Sequence, residues 1–265
     1  MHRSHAPVLL RHVHEFPSTL DLPTGMNLNV KIKRYNPETD DAPHWETYEV
    51  PADPLDSALA LLLHVKWHQD GTLALRKSCA HGVCGSDAMQ INGENKLACS
   101  VLVQDLVDGD GDTVTYAPLP SAPVVKDLVI DQSRFFDKYR DVKPWLITEG
   151  PAPETERLQS PEEHEVIEDA TKCIMCGACT HACPSTWADP DYLGPAAMLK
   201  AYRYTFDTRD DGTQERLDVV DSPDGLWKCY TIFNCNQACP KDIDITRWLS
   251  ALKRRAVTAN ASSAA

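Results

Sequence analysis

Apolar and polar side chains alternate along several segments of the first half of the chain, and this period predicts strands. The alternation is clearest over Leu28–Lys33, which indicates a half-buried strand. A second short strand is expected over Trp45–Val50, and the two would form a hairpin across a proline-containing loop. Two further strands are predicted over Ala98–Val103 and Thr113–Tyr116.

One helix is predicted among these strands. Asp53 and Pro54 supply a capping side chain and a fixed φ angle for its start, and Gly71 marks its end. Apolar residues follow one another at helical spacing between these points, at Leu55, Ala58, Leu59, Leu62 and Leu63. Strands that surround a single helix indicate a small α+β domain.

The second half of the chain changes character after about Ile130, where helical segments replace the β-alternation. Helices are expected over Arg134–Val142, Pro195–Phe206 and Ile245–Arg255. The last of these ends in three cations, which favour a helix C-terminus and would also suit contact with anionic lipid headgroups or an anchor subunit. The predicted division is an N-terminal extension at 1–25, a first domain at 26–132, a mainly helical domain at 133–257 and a frayed tail at 258–265.

The composition excludes several classes of protein. With 26 basic and 39 acidic residues, the net charge of −13 is the opposite of the basic surface that nucleic-acid-binding proteins need. The longest uncharged apolar run, Ala58–Leu63, is far shorter than the roughly 20 residues of a membrane-spanning helix. The first 25 residues lack the pattern of a signal or transit peptide, and their histidines are expected in a solvated extension.

Ten cysteines carry the chemistry of this chain, and the first group is Cys79-x4-Cys84-x2-Asp87-x11-Cys99. Plant-type ferredoxins hold a 2Fe-2S cluster with C-x4-C-x2-C and a distant fourth cysteine. Here Asp87 occupies the third position, and a carboxylate oxygen can also bind iron. The alternative is that Ser86 or water fills this position. His81 lies inside the loop and is not expected to be a ligand.

The remaining cysteines form two runs with bacterial-ferredoxin spacing, and each run ends in Cys-Pro. In such pairs the last cysteine of each run binds the cluster of the other run, which assigns a 4Fe-4S cluster to Cys173, Cys176, Cys179 and Cys239. Cys183, Cys229 and Cys235 remain for a second cluster. Ile232 stands where its fourth thiol would be, which predicts a 3Fe-4S cluster. The alternative is an open-cornered four-iron cluster with Lewis-acid chemistry.

Three such clusters in one chain predict an electron relay, because iron–sulfur clusters are one-electron carriers. No nucleotide-binding loop, catalytic triad or flavin motif accompanies them. Two other classes remain as alternatives, namely a free-standing ferredoxin-like carrier and a zinc-stabilised interaction module.

These segments resemble the iron–sulfur subunits of succinate dehydrogenase and of its relative fumarate reductase. The resemblance extends over about 27–253 and rests on motifs in both halves of the chain. They include Lys33-Arg34-Tyr35-Asn36-Pro37, Cys84-Gly85-Ser86-Asp87, Lys126-Asp127-Leu128-Val129, Asp207-Thr208-Arg209-Asp210 and Cys239-Pro240-Lys241.

The resemblance implies a β-grasp, plant-type ferredoxin domain that carries the 2Fe-2S cluster beside a flavoprotein subunit. A mainly α-helical, bacterial-ferredoxin-like domain would follow it, close to membrane-anchor subunits. Electrons from succinate would pass from covalently bound FAD on the flavoprotein through the three clusters to quinone. The implied location is peripheral, on the cytoplasmic face of the bacterial cytoplasmic membrane, with haem in the anchor left open. Asp87 favours the dehydrogenase branch, and fumarate reductase is the alternative.

The resemblance further implies a quinone pocket at Pro184, Trp187, Tyr230 and Ile232. The chain departs from many relatives at two positions nearby. Ala188 stands where a second aromatic residue is common, and Tyr230 stands where histidine is common, so this side chain cannot contact haem as a histidine would. Ordinary packing around the cluster is the alternative role for Tyr230.

Overall fold

The computed structural model describes residues 25–263, and its first half is built on a mixed five-stranded sheet. The strands are β1 (Met26–Arg34), β2 (His44–Ala52), β3 (Ala88–Ile91), β4 (Glu94–Leu97) and β5 (Thr113–Ala117). Their order across the sheet is β2-β1-β5-β3-β4, with β1 and β5 parallel and the other neighbouring pairs antiparallel. Two short strands, β6 (Val124–Lys126) and β7 (Val129–Ile130), form a separate hairpin.

Helix α1 (Ala58–His64) covers one face of the sheet and continues as a π-helical turn over Val65–Gln69. Every second residue of β1, from Leu28 onwards, is buried beneath the helix, as the alternating pattern predicts. The predicted start of this helix is wrong. Ser57 is the N-cap, and its side chain accepts the N–H of Ala60 at 3.3 Å.

Asp53 closes a turn instead of capping the helix, since its carboxylate accepts the N–H of Leu55 at 2.9 Å. Leu55 is consequently exposed and does not belong to the apolar stripe. The strand predicted over Ala98–Val103 is also wrong, because the chain turns directly after β4 and the N–H of Ser100 donates to the carbonyl of Leu97. The pattern missed the β3–β4 hairpin, whose two strands have only four residues each.

The buried carboxylate of Asp127 connects the end of β1 to the chain segment that precedes the first cysteine loop. Asp127 lies between β6 and β7 and accepts the Nε–H of Arg34 at 3.0 Å and the N–H of Ala74 at 2.8 Å. Arg34 also contacts Asp70 and Glu46, so its charge is fully compensated. This network fixes the segment that leads into Cys79.

The second half is helical and encloses its own core. Its helices are α2 (Ser133–Asp141), α3 (Pro161–Thr171), α4 (Ala178–His181), α5 (Pro184–Ala188), α6 (Pro195–Thr205), α7 (Thr213–Val220), α8 (Asn234–Gln237) and α9 (Ile245–Ser263). Helix α6 is the central element and contacts α2, α3, α4, α7 and α9. The buried residues of this core run from Phe135 to Ala256, whereas those of the first core run from Leu28 to Leu128.

The C-terminal helix is longer than the sequence predicts. Helix α9 continues through 258–263, where a frayed tail was expected. Asn260 reaches across to the carboxylate of Asp221 at 2.7 Å, which holds this end of the helix against the domain. The cations at 253–255 therefore lie within the helix rather than at its C-terminus.

None of the helices described between residues 25 and 263 has the length and apolar character that a membrane crossing requires. The predicted extension at 1–25, with its histidines, lies outside the described residues except for Gly25.

Candidate metal centres

The loop between α1 and β3 directs backbone N–H groups at the sulfur atoms of the first cysteine group. Gly82 donates to the Sγ of Cys99 at 3.3 Å, and the N–H groups of Val83 and Cys84 donate to the Sγ of Cys79 at 3.4 and 3.3 Å. Backbone N–H groups, that of His81 foremost, lower the pKa of Cys79 to about 6. The loop is thus suited to hold thiolates, which is the form of cysteine that binds iron.

Asp87 is buried beside these cysteines, with 2% of its surface exposed. Its Oδ2 accepts the N–H of Cys99 at 2.6 Å, whereas its Oδ1 is buried with no hydrogen-bond partner among residues 25–263. A buried carboxylate oxygen without a partner is costly unless it has a ligand. The donor set of this loop fits a 2Fe-2S cluster with Asp87 at the third position.

The other two candidate positions in this loop have different surroundings. The Oγ of Ser86 lies 3.2 Å from the Sγ of Cys84, and the Nδ1 of His81 lies 2.6 Å from the carbonyl oxygen of Cys79. Both side chains thus have a polar partner within the loop, whereas the Oδ1 of Asp87 has none among the described residues.

The four cysteines predicted for the 4Fe-4S cluster line one space in the helical domain. Cys173, Cys176, Cys179 and Cys239 border a cavity with an empty volume of about 340 Å³, whose other walls are mainly apolar. Burial raises the pKa of Cys176 to about 12 and that of Cys179 well above its ordinary value. Thiolates can be kept in such a place only if a cation replaces water, as the iron of a cluster does.

The three cysteines predicted for the third cluster line a separate cavity of about 310 Å³. Ile232 also lines this cavity, and its side chain offers no atom that could bind iron. The donor set is therefore three thiolates and one apolar corner, which fits a 3Fe-4S cluster. Pro184 and Tyr230 border the same space, and Tyr230 is largely exposed.

Trp187 is not among the residues that line the third cavity, which Pro184, Tyr230 and Ile232 border. Its indole N–H donates to the carbonyl of His181 at 2.7 Å, and its ring lies in a groove between α5 and the β3–β4 hairpin. The cavity that the cysteines line is a site for the cluster and not for quinone. The quinone pocket at Pro184, Trp187, Tyr230 and Ile232 therefore stays a prediction.

Two residues that sequence reasoning missed also lie at the third centre. The Nζ of Lys253 donates to the carbonyl of Cys229 at 2.7 Å, so this cation binds the backbone of a third-centre cysteine instead of stabilising a helix end. Tyr192 is fully buried and lines the same cavity. The spacing of the cysteines carries no signal for either residue, because both approach the cavity only through the fold.

The first cysteine loop touches the wall of the 4Fe-4S cavity. A Cβ atom added to Gly85 would be 2.6 Å from the Cβ of Cys176, which leaves room for glycine only. The Nδ2 of Asn95 in β4 donates to the carbonyl of Ala178 at 3.1 Å and holds the two domains together there. Helix α4 contains Cys179 of the second centre, and Cys183 of the third follows two residues after the helix ends. The three sites consequently form a series.

No three His, Cys, Asp or Glu side chains within 25–263 are arranged as a site for a single metal ion. The cysteines of the helical domain surround the two cavities instead.

Comparison with known proteins agrees with this division of the chain. A family model described as "2Fe-2S iron-sulfur cluster binding domain" matches residues 29–137, and one described as "4Fe-4S dicluster domain" matches residues 165–240. The succinate dehydrogenase iron-sulfur subunit of Coxiella burnetii is 40% identical over 219 residues, which cover 82% of this chain and 92% of that protein. The chain belongs to the family of succinate dehydrogenase and fumarate reductase iron–sulfur subunits.

Other members of this family are equally similar. The succinate dehydrogenase iron-sulfur subunit of Paracoccus denitrificans is 43% identical over 85% of this chain and 86% of its own length. The fumarate reductase iron-sulfur subunit of Mycobacterium tuberculosis is 41% identical over 86% of this chain and 92% of its own length. Iron–sulfur subunits of both enzymes are thus relatives at similar distance.

A chain from the Mycobacterium smegmatis Sdh1 complex in the apo form has the same fold, with a TM-score of 0.79, 24% identity and coverage of 88% of this chain and 96% of that one. The predicted fold class is confirmed: a 2Fe-2S ferredoxin-like domain built on a β-sheet precedes a helical 4Fe-4S dicluster domain.

Proposed function

We propose that this iron–sulfur subunit relays electrons in a membrane-bound succinate:quinone oxidoreductase, from FAD of a flavoprotein subunit to quinone. The observation that carries the proposal is the series of three cysteine sites. Gly85 of the first loop contacts Cys176 of the second site, and Cys183 of the third site lies just beyond α4, which contains Cys179 of the second. When bound, the clusters supply one-electron chemistry, and the chain supplies their order and spacing.

The cluster ligands are assigned by the residues that share each site. Cys79, Cys84, Asp87 and Cys99 would hold the 2Fe-2S cluster, and Cys173, Cys176, Cys179 and Cys239 the 4Fe-4S cluster. Cys183, Cys229 and Cys235 would hold the 3Fe-4S cluster, with Ile232 at the open corner. Apolar walls limit the access of water to the second site, where Cys176 and Cys179 are buried.

The third site is the proposed exit towards quinone and the anchor subunits. Exposed apolar and aromatic side chains gather beside it, including Trp227, Tyr230, Ile232 and Phe233. An exposed group of this kind is typical of a surface that a partner or a membrane covers. Docking there would bring the chain to the cytoplasmic face of the bacterial cytoplasmic membrane.

Succinate oxidation is the proposed direction, because Asp87 occupies the third ligand position of the first cluster. Fumarate reduction is the second candidate, and the similarity to the fumarate reductase subunit of Mycobacterium tuberculosis favours keeping it. The same series of sites serves either direction.

A complex purified through a tag on this chain tests the proposal. A flavoprotein should copurify, succinate should reduce the clusters anaerobically, and a quinone analogue should reoxidise them. If the purified chain carries three clusters but no flavoprotein accompanies it and succinate leaves the clusters oxidised, it is a free-standing carrier. Zinc in place of iron would indicate an interaction module.

A further inference from the structure

The Tyr192 side chain has no role in the ligand sets, yet it is fully buried at the third site. Its ring lines the cavity that Cys183, Cys229 and Cys235 border, and its exposed fraction is 0%. Its hydroxyl is buried without a hydrogen-bond partner among residues 25–263. Buried phenol hydroxyls nearly always have a partner, because leaving one unpaired costs about 1–3 kcal/mol.

The surroundings of the hydroxyl indicate what its partner is. The Cys229 thiol neighbours the hydroxyl, and the thiols of Cys183 and Cys235 border the same cavity. A phenol is protonated at neutral pH and can donate. Sulfur atoms that carry negative charge are the acceptors within its reach.

The backbone holds Tyr192 in this position. Its N–H donates to the carbonyl of Asp189 at 3.3 Å, and its own carbonyl accepts the Nζ of Lys138. The following N–H, that of Leu193, donates to the carbonyl of Asp224 at 2.8 Å. A side chain on such a fixed backbone approaches the cavity in one preorganised geometry.

We propose that the Tyr192 hydroxyl donates a hydrogen bond to a sulfur atom of the three-iron site and thereby raises its reduction potential. Reduction adds negative charge to the cluster and its thiolates, and a fixed donor stabilises that charge more than it stabilises the oxidised state. Tyr192 thus makes the third site a better electron acceptor. This inference rests on the cluster assignment of the proposed function.

Redox titration of the three-iron EPR signal in the purified complex tests the inference. Tyr192→Phe keeps the ring and removes only the donor. In this variant we expect the reduction equilibrium to shift about tenfold towards the oxidised cluster. The reduction potential of the three-iron cluster should then fall by about 59 mV for the one-electron step. Site-specific 3-fluorotyrosine at position 192 has a more acidic hydroxyl and should shift the potential in the opposite direction.

Tyr202→Phe is the matched control, because Tyr202 is also buried but donates to the carbonyl of Val166 at 2.6 Å. This variant should leave the potential unchanged. Equal potentials in wild type, Tyr192→Phe and the fluorotyrosine protein would overturn the inference while leaving the three-iron assignment intact. If Tyr192→Phe fails to assemble, the fluorotyrosine protein decides alone. A wild-type complex with no three-iron signal would overturn both the assignment and this inference.

Discussion

Gly85 and Cys176 are in contact across the boundary between the two domains, where an added Cβ on the glycine would lie 2.6 Å from the cysteine Cβ. The pair joins the loop of the first cluster site to the wall of the second. We expect Gly85→Ala to force these two elements apart and to slow electron transfer between the clusters, because such transfer weakens steeply with distance. Rapid-mixing measurements of cluster reduction by succinate would detect the delay.

Gly93→Ala is the control for this prediction. Gly93 also has a positive φ angle, +85° against +70° at Gly85, but no atom lies within 4 Å of its added Cβ. Both variants therefore strain the backbone, and only Gly85→Ala separates the sites. Equal reduction kinetics in the two variants would show that the contact does not set the rate.

Asp87→Ala should lose the 2Fe-2S centre, because it removes the buried carboxylate whose Oδ1 has no protein partner within 25–263. Asp87→Cys restores a thiolate at the same position and should retain the centre. Iron content and the EPR signal of the reduced cluster are the measurements. Ser86→Ala is the companion variant, and loss of the cluster there, with retention in Asp87→Ala, would make the serine the ligand.

Ile232→Cys should convert the third site to a four-iron site, since it supplies a thiol at the corner where the cavity has only an apolar side chain. The oxidised three-iron EPR signal should disappear, and the iron content should rise from about nine to about ten per chain. Ile232→Val keeps the corner apolar and should leave the signal unchanged. An unaltered three-iron signal in Ile232→Cys would mean that cavity geometry, not the missing thiol, limits the cluster.

Arg216→Met should destabilise the helical domain severely. Arg216 and Asp210 form an ion pair whose side chains are both fully buried, and Arg216 also donates to the carbonyls of Lys143 and Trp145. Leaving Asp210 charged and unpaired should cost about 3–5 kcal/mol. Urea unfolding followed by cluster absorbance measures this loss.

Arg140→Met is the comparison for the buried pair, because Arg140 contacts Asp137 on the surface. Exposed pairs contribute about 0–1 kcal/mol, so this variant should unfold almost like wild type. Similar urea midpoints for Arg216→Met and Arg140→Met would show that the buried ion pair stabilises the domain no more than the exposed pair does.

The sequence was sufficient to group the cysteines because cluster ligands recur at fixed spacings, and the structure brings the two predicted sets of the helical domain each around its own cavity. The strand β1 and helices α2 and α6 were likewise predictable from periodicity. Short elements could not be predicted from periodicity. The four-residue strands β3 and β4 are too brief to show a period, and the cap at Ser57 competed with a similar signal at Asp53.

Residues that reach a site only through tertiary packing could not be found from spacing. Tyr192 approaches the third site from a loop fixed by Lys138, and Lys253 approaches it from one face of α9. Trp187 is close to Cys183 in the sequence but does not line the cavity that Cys183 borders. Its ring borders the groove between α5 and the β3–β4 hairpin instead.

Mössbauer spectroscopy of the ⁵⁷Fe-labelled complex tests the central claim most directly, since it counts iron in each type of cluster separately. We predict three components that contain iron in a ratio of about 2:4:3, from the 2Fe-2S, 4Fe-4S and 3Fe-4S centres. A spectrum without the three-iron component, or with two equal four-iron components in the intact oxidised complex, would contradict it.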